Sequence, residues 1–172
     1  MIKSYQGKSP VISSDSYISE TAVIIGDVTI KKDANIWFGS VLRGDYSEIY
    51  IGEGTNIQEN CVVHGDKEYK VQVGKRCTIG HGAIIHGCTI GENTLIGMGA
   101  IILNGVRIGN NSIVGAGSLV TQNKEFEDGV LILGNPAKVV RRLTEEEIEH
   151  NKKSYEEYVS VSKNMNIQLM EE

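Results

Sequence analysis

An aliphatic side chain returns every six residues along most of this chain. Ile18, Ile24, Ile30, Ile36 and Leu42 open the series, and Ile51, Ile57 and Val63 continue it. Val73, Ile79, Ile84, Ile90, Ile96, Ile102, Ile108, Val114 and Val120 complete it. A small residue follows four places later, as at Ala22, Ala34, Ser40, Thr55, Cys61, Cys77, Ala83, Cys88, Thr94, Ala100, Ser112 and Ser118. Glycine often follows the aliphatic directly, at Gly52, Gly74, Gly80, Gly91, Gly97, Gly109 and Gly115, which is how 20 Gly stand against 2 Pro. A period of six does not fit the 3.6 of an α-helix, so a helix is excluded for residues 18–120. It fits a solenoid, in which each hexapeptide makes one short strand and one corner, three make a coil, and each coil contacts only its neighbours.

Three intervals break the period: nine residues from Leu42 to Ile51, ten from Val63 to Val73 and five from Ile79 to Ile84. The first two read as insertions at corners, around Asp45–Glu48 and Asp66–Tyr69. The third reads as a short turn, with Ile85 as an alternative start. After Val120 the pattern stops. Gly134-Asn135-Pro136-Ala137-Lys138 reads as a turn leaving the solenoid, and Thr144 with Glu147 as a capping box. Beyond it Ile148, Tyr155, Tyr158 and Val159 share one helical face, and the last few residues are expected to fray. The organisation expected is an N-terminal cap at 1–17, a β-helix at 18–122, an exit loop and turn at 123–143, and a C-terminal helix and tail at 144–172. The fold class is all-β, a single-stranded parallel β-helix with a C-terminal α-helix.

A formal charge of −5 without a dominant Lys/Arg cluster argues against nucleic acid or a membrane surface as partner. Cys61, Cys77 and Cys88 are an odd number without CxxC spacing, and they fall in the small-residue column. They read as interior packing, and with the absence of an apolar leader they predict a cytoplasmic protein.

If the faces are numbered in chain order, Leu42, Val63 and Ile84 (or Ile85) all begin the second. Arg43, His64 and His86 then stack in one outward column at the spacing of coils, roughly 5 Å. Two imidazoles at that separation can share one metal ion. His81 sits on the first face, in column with Glu59 and beside Gln58, and points away from the pair. It completes the site only from a neighbouring copy, so the spacing suggests a trimer with metals at its seams. His150, on the helix, reads as a surface residue.

The order Arg43-Gly44-Asp45, Gln58-Glu59-Asn60, His64, then His81 and His86, together with Ile36-Trp37-Phe38-Gly39-Ser40-Val41-Leu42, resembles the gamma-class carbonic anhydrases and their relatives over residues 10–142. The resemblance implies a left-handed β-helix, a hand that ordinary crossover rules would not predict. It implies a homotrimer with one divalent metal per subunit, zinc foremost and iron or cobalt as alternatives. The ligands are His64 and His86 from one subunit and His81 from the next. It places Arg43 and Asp45 in an interface ion pair, Gln58 beside the metal-bound water, and Glu59 as a proton relay or a support for His81. Metal hydroxide would then attack CO2, giving bicarbonate, or another activated carbonyl. Tyr46 stands where active relatives carry a shuttle glutamate, and the second insertion is short, which implies slower proton export. Two other readings accompany this one: a hexapeptide acyltransferase using acetyl-CoA with a single His base, and a structural or assembly subunit with little activity.

Overall fold

The hexapeptide period builds three stacks of parallel strands. We describe a computed structural model that covers residues 1–171, with side chains described through residue 165. The backbone is helical through Glu171, where the last few residues were expected to fray. The first face carries Tyr17–Ile18, Asn35–Ile36, Asn56–Ile57, Thr78–Ile79, Leu95–Ile96, Ile113–Val114 and Val130–Gly134. The second carries the first halves of Val23–Ile30 and Val41–Ile51, then Val62–His64, Ile84–His86, Ile101–Ile102 and Leu119–Val120. The third carries Val11–Ile12, the second halves of the same two long strands, then Val71–Val73, Thr89–Ile90, Arg107–Ile108 and Glu125–Phe126. Together they form a left-handed β-helix of about seven turns.

The aliphatic column faces the prism interior. Ile24, Ile36, Leu42, Ile51, Ile57, Val63, Val73, Ile79, Ile96, Ile102, Val114 and Val120 are all fully buried. Each contributes about 1.5–3 kcal/mol of hydrophobic burial. Cys61, Cys77 and Cys88 lie in the same core. Burial pushes the Cys61 thiol up to about 11 and those of Cys77 and Cys88 up to about 12.

The structure moves three boundaries. Ile85, not Ile84, is the interior residue, since Ile85 is fully buried and pairs with Val63. The period therefore holds from Ile79 to Ile85, and the five-residue step runs from Ile85 to Ile90. The Asp45–Glu48 insertion sits at the corner between the second and third faces, as a bulge rather than a separate loop. It lies within the continuous strand Val41–Ile51, where Gly26 pairs with Gly44 and Val28 with Ile49, so four residues bulge opposite Asp27 alone. Glycine is required there: a Cβ on Gly26 would meet the Gly44 carbonyl oxygen at 2.4 Å. Finally, the stack does not stop at Val120. Phe126 pairs with Ile108 and Ile132 with Val114, two further steps of six, before Ala137–Arg142 turns back antiparallel. The charged run Lys124-Glu125 disguises those rungs as loop. At the other end, Ile2–Lys3 and Val11–Ile12 add strands above the second and third faces.

The helix Glu145–Glu171 starts at the predicted capping box. The Glu147 N–H donates to Thr144 Oγ1 at 3.2 Å, and the Thr144 N–H donates to Glu147 Oε2 at 2.9 Å. It lies against the first face. Asn151, 2% exposed, donates from Nδ2 to the carbonyls of Asn93 and Ser112. Trp37 packs under this helix, edge-on to Tyr158 with centroids 5.5 Å apart, its indole N–H donating to Asn35 Oδ1. No helix among the described residues is long and apolar enough to cross a membrane.

Candidate metal centre

Backbone pairing sets the histidine column directly. Arg43 is the strand partner of His64, and His64 that of His86. The rings lie 5.1 Å apart between centroids, and His64 Nδ1 is 3.1 Å from His86 Nε2. The partners on the far side of each ring decide what those two nitrogens carry. His64 Nε2 is 2.9 Å from Asp45 Oδ1, a carboxylate oxygen that can only accept, so Nε2 holds the hydrogen. His86 Nδ1 is 2.6 Å from Asn104 Oδ1, again an acceptor, so Nδ1 holds the hydrogen there. In the neutral pair both facing nitrogens therefore present lone pairs to one another across 3.1 Å. That contact is repulsive unless a proton or a metal cation lies between them. A tetrahedral ion at ~2.1 Å from each nitrogen spaces its ligands about 3.4 Å apart, close to the gap observed.

Asp45 reaches His64 because the bulge turns it back over the column. Burial raises its pKa, but hydrogen bonds from His64 and Arg43 outweigh that and hold the carboxyl below its ordinary value. Arg43 and Asp45, expected as an interface ion pair, are paired with each other within this one chain. Tyr46, 59% exposed, stands edge-on to His64 at 6.0 Å.

His81 is placed differently, as the spacing predicted. It lies at a corner of the first face and is not among the donors gathered at the pair. Its Nδ1 is 2.6 Å from Glu59 Oε2, in close contact but off the line of a good hydrogen bond. Its backbone N–H donates to Gln58 Oε1 at 3.1 Å, and Gln58 Nε2 donates to Asn56 Oδ1 at 3.1 Å. Gln58, 4% exposed, thus pins the His81 corner of its own chain.

Two residues near the centre were not singled out from sequence. Asp66 offers an oxygen such that its donor atom and those of His64 and His86 all lie within 4.8 Å of one another. Asn104 donates from Nδ2 to Asp66 Oδ2 at 2.7 Å. Asn104 follows His86 by 18 residues, one coil on, which is the only sequence signal it offers. A hollow of about 360 Å3, lined by Tyr46, Asp66, Lys67, Glu68 and Tyr69, opens at this edge.

The bacterial transferase hexapeptide model (six repeats) matches residues 87–122. "Gamma carbonic anhydrase 2, mitochondrial" of Arabidopsis thaliana is 43% identical over 161 residues, covering 90% of this chain but 58% of its own length. The "Probable carbonic anhydrase" of Methanocaldococcus jannaschii is 50% identical over 155 residues, covering 90% of this chain and 98% of its own. The chain belongs to the gamma-class carbonic anhydrase-like family. It spans little more than half of the plant relative and nearly all of the archaeal one. Among solved structures, a protein described as a putative acetyltransferase from Bacillus cereus superposes with a TM-score of 0.94 at 39% identity, covering 95% of each chain.

Proposed function

We propose that this gamma-family protein is a metal-dependent carbonic anhydrase, hydrating CO2 reversibly at sites shared between the copies of a homotrimer. The observation that carries the reading is the pair of imidazole lone pairs aimed at one another across 3.1 Å. Asp45 and Asn104 hold the two rings so that only a cation relieves them. When bound, a divalent metal supplies the Lewis acidity that makes water a nucleophile near neutral pH. Three imidazoles suit zinc first, with iron or cobalt as alternatives.

His81 supplies the third imidazole from a neighbouring copy. Glu59 beside its Nδ1 leaves Nε2 free to ligate, and Gln58 fixes the corner that presents it. The second face supports the assembly. Its outward row runs Val23, Val41, Val62, Ile84, Ile101 and Leu119, one aliphatic per coil, alongside Arg43, His64 and His86. A continuous apolar row beside a polar cluster is a surface that another protein covers. Two further copies would cover it and close the ring. Arg43 neutralises Asp45, Asp45 keeps His64 in its tautomer, and the aliphatic row excludes bulk water from the seam. Tyr46 brings no carboxylate for proton export, so turnover is buffer-dependent. Three buried free cysteines fit a reducing compartment such as the cytoplasm.

The B. cereus neighbour's description favours one second reading, acyl transfer from an acyl-CoA with a single histidine as base. Metal content of anaerobically purified protein, with CO2 hydration by stopped flow on the same sample, separates the two. About one metal per subunit with hydration that rises with buffer supports the carbonic anhydrase. One metal without hydration moves the substrate to thioesters, and no metal after zinc or iron is offered overturns the reading.

A further inference from the structure

The turn after His64 is held against the solenoid by an arrangement that ends on His86. The Tyr69 N–H donates to the Asp66 carbonyl at 3.0 Å, closing the turn, and Tyr69 lies over Gly87 and Gly105. A Cβ on Gly87 would meet Asn104 Oδ1 at 2.3 Å and Tyr69 Cβ at 2.7 Å, so the bare backbone is the seat for both. Seated this way, the turn delivers the Asp66 carboxylate to Asn104.

The order of donors along this path is forced. A carboxylate only accepts, so the amide nitrogen of Asn104 must face Asp66. The amide oxygen must then face His86, at 2.6 Å, and His86 Nδ1 must carry its hydrogen. Nε2 is left as a lone pair toward His64. Reversing the Asn104 amide would set its carbonyl oxygen against the Asp66 carboxylate.

We propose that Asn104, braced by Asp66, is a positioning residue that sets the tautomer and aim of His86. Metal affinity is thereby tied to the docking of the 66–69 turn. The second half rests on the metal reading above; the first does not. Partners of this kind behind a metal-bound imidazole typically change affinity about 10- to 100-fold.

The test combines 15N NMR of His86 in the metal-free protein, at a pH where imidazole is neutral, with zinc titration against a competing chelator. The wild type should show the Nδ1–H tautomer. Asn104→Leu, a half-exposed site, should leave folding intact, mix the tautomers and weaken zinc binding by about 10- to 100-fold. The double variant Asn104→Asp/Asp66→Asn restores an acceptor for Nδ1–H and should bind zinc within a few-fold of wild type. Adding Asp66→Ala to Asn104→Leu should cost nothing more. An unchanged tautomer and affinity in Asn104→Leu would overturn the proposal. So would a further loss on adding Asp66→Ala, since Asp66 would then act on the metal directly. If the wild type takes up no zinc, the metal reading fails, and the tautomer alone decides the role of Asn104.

Discussion

The second and third faces share one interior and one strand geometry, yet their outward rows differ completely. On the second face the row is Val41, Val62, Ile84, Ile101; on the third, Tyr50, Gln72, Thr89, Arg107. The third face also bears the larger hollow, about 590 Å3 with Lys31, Lys32, Lys75, Arg107, Glu53 and Glu92 among its walls, and none of the clustered metal donors lines it. The first face is already covered, by the helix. In a solenoid the inward residues specify the fold and are interchangeable between faces, while the outward residues specify what each face meets. Here the three outer surfaces meet a helix, water and, in our proposal, a second copy.

The largest effect expected from breaking this contrast is on assembly. Val62→Glu, in the middle of the aliphatic row, should dissociate the proposed trimer and abolish the metal binding proposed at its seams, because a charge would be buried at each. Gln72→Glu, the matching position of the third face, should change neither. Size-exclusion chromatography with light scattering and metal analysis reads both variants. Loss of assembly in Gln72→Glu alone would assign the interface to the wrong face.

Truncations inside the prism should not distinguish the faces. Leu42→Ala and Ile51→Ala, each fully buried, should both cost about 2–5 kcal/mol in chemical denaturation. A large difference between them would mean that the interior is not shared equally. The covered first face offers the smallest effect. Glu147, paired with Arg141 and bonded to the Thr144 N–H, is held down to about 2. A depressed folded pKa contributes stability that is full above the ordinary carboxylate range and is lost as pH falls through about 2. Glu147→Gln should therefore lower Tm slightly at pH 6, with the difference from wild type fading below pH 4.

The inward pattern was readable from sequence because interior burial repeats with the coil. So was the stacking of Arg43, His64 and His86, which depends only on register. Misreadings arose where register was locally ambiguous. Ile84 and Ile85 are both aliphatic, and only burial separates them. Lys124 occupies a small-residue position, which hid the rungs at Phe126 and Ile132. The Asp45–Glu48 bulge looks like any insertion of three residues, yet it is what returns Asp45 to His64. Asn104 was missed because its role depends on a turn from one coil meeting a corner of another, and no local pattern encodes that contact.

The central claim is that His81 acts in a neighbour's site, and complementation tests it most directly. His81→Ala and His64→Ala trimers are prepared separately, then unfolded and refolded together, and metal per subunit is measured. Each variant alone should hold almost none. Random mixing should recover metal at about a quarter of all seams, one in each mixed trimer, where an intact His64–His86 pair meets an intact His81. No recovery, in trimers shown to be mixed, would place His81 outside the site of its neighbour and contradict the account.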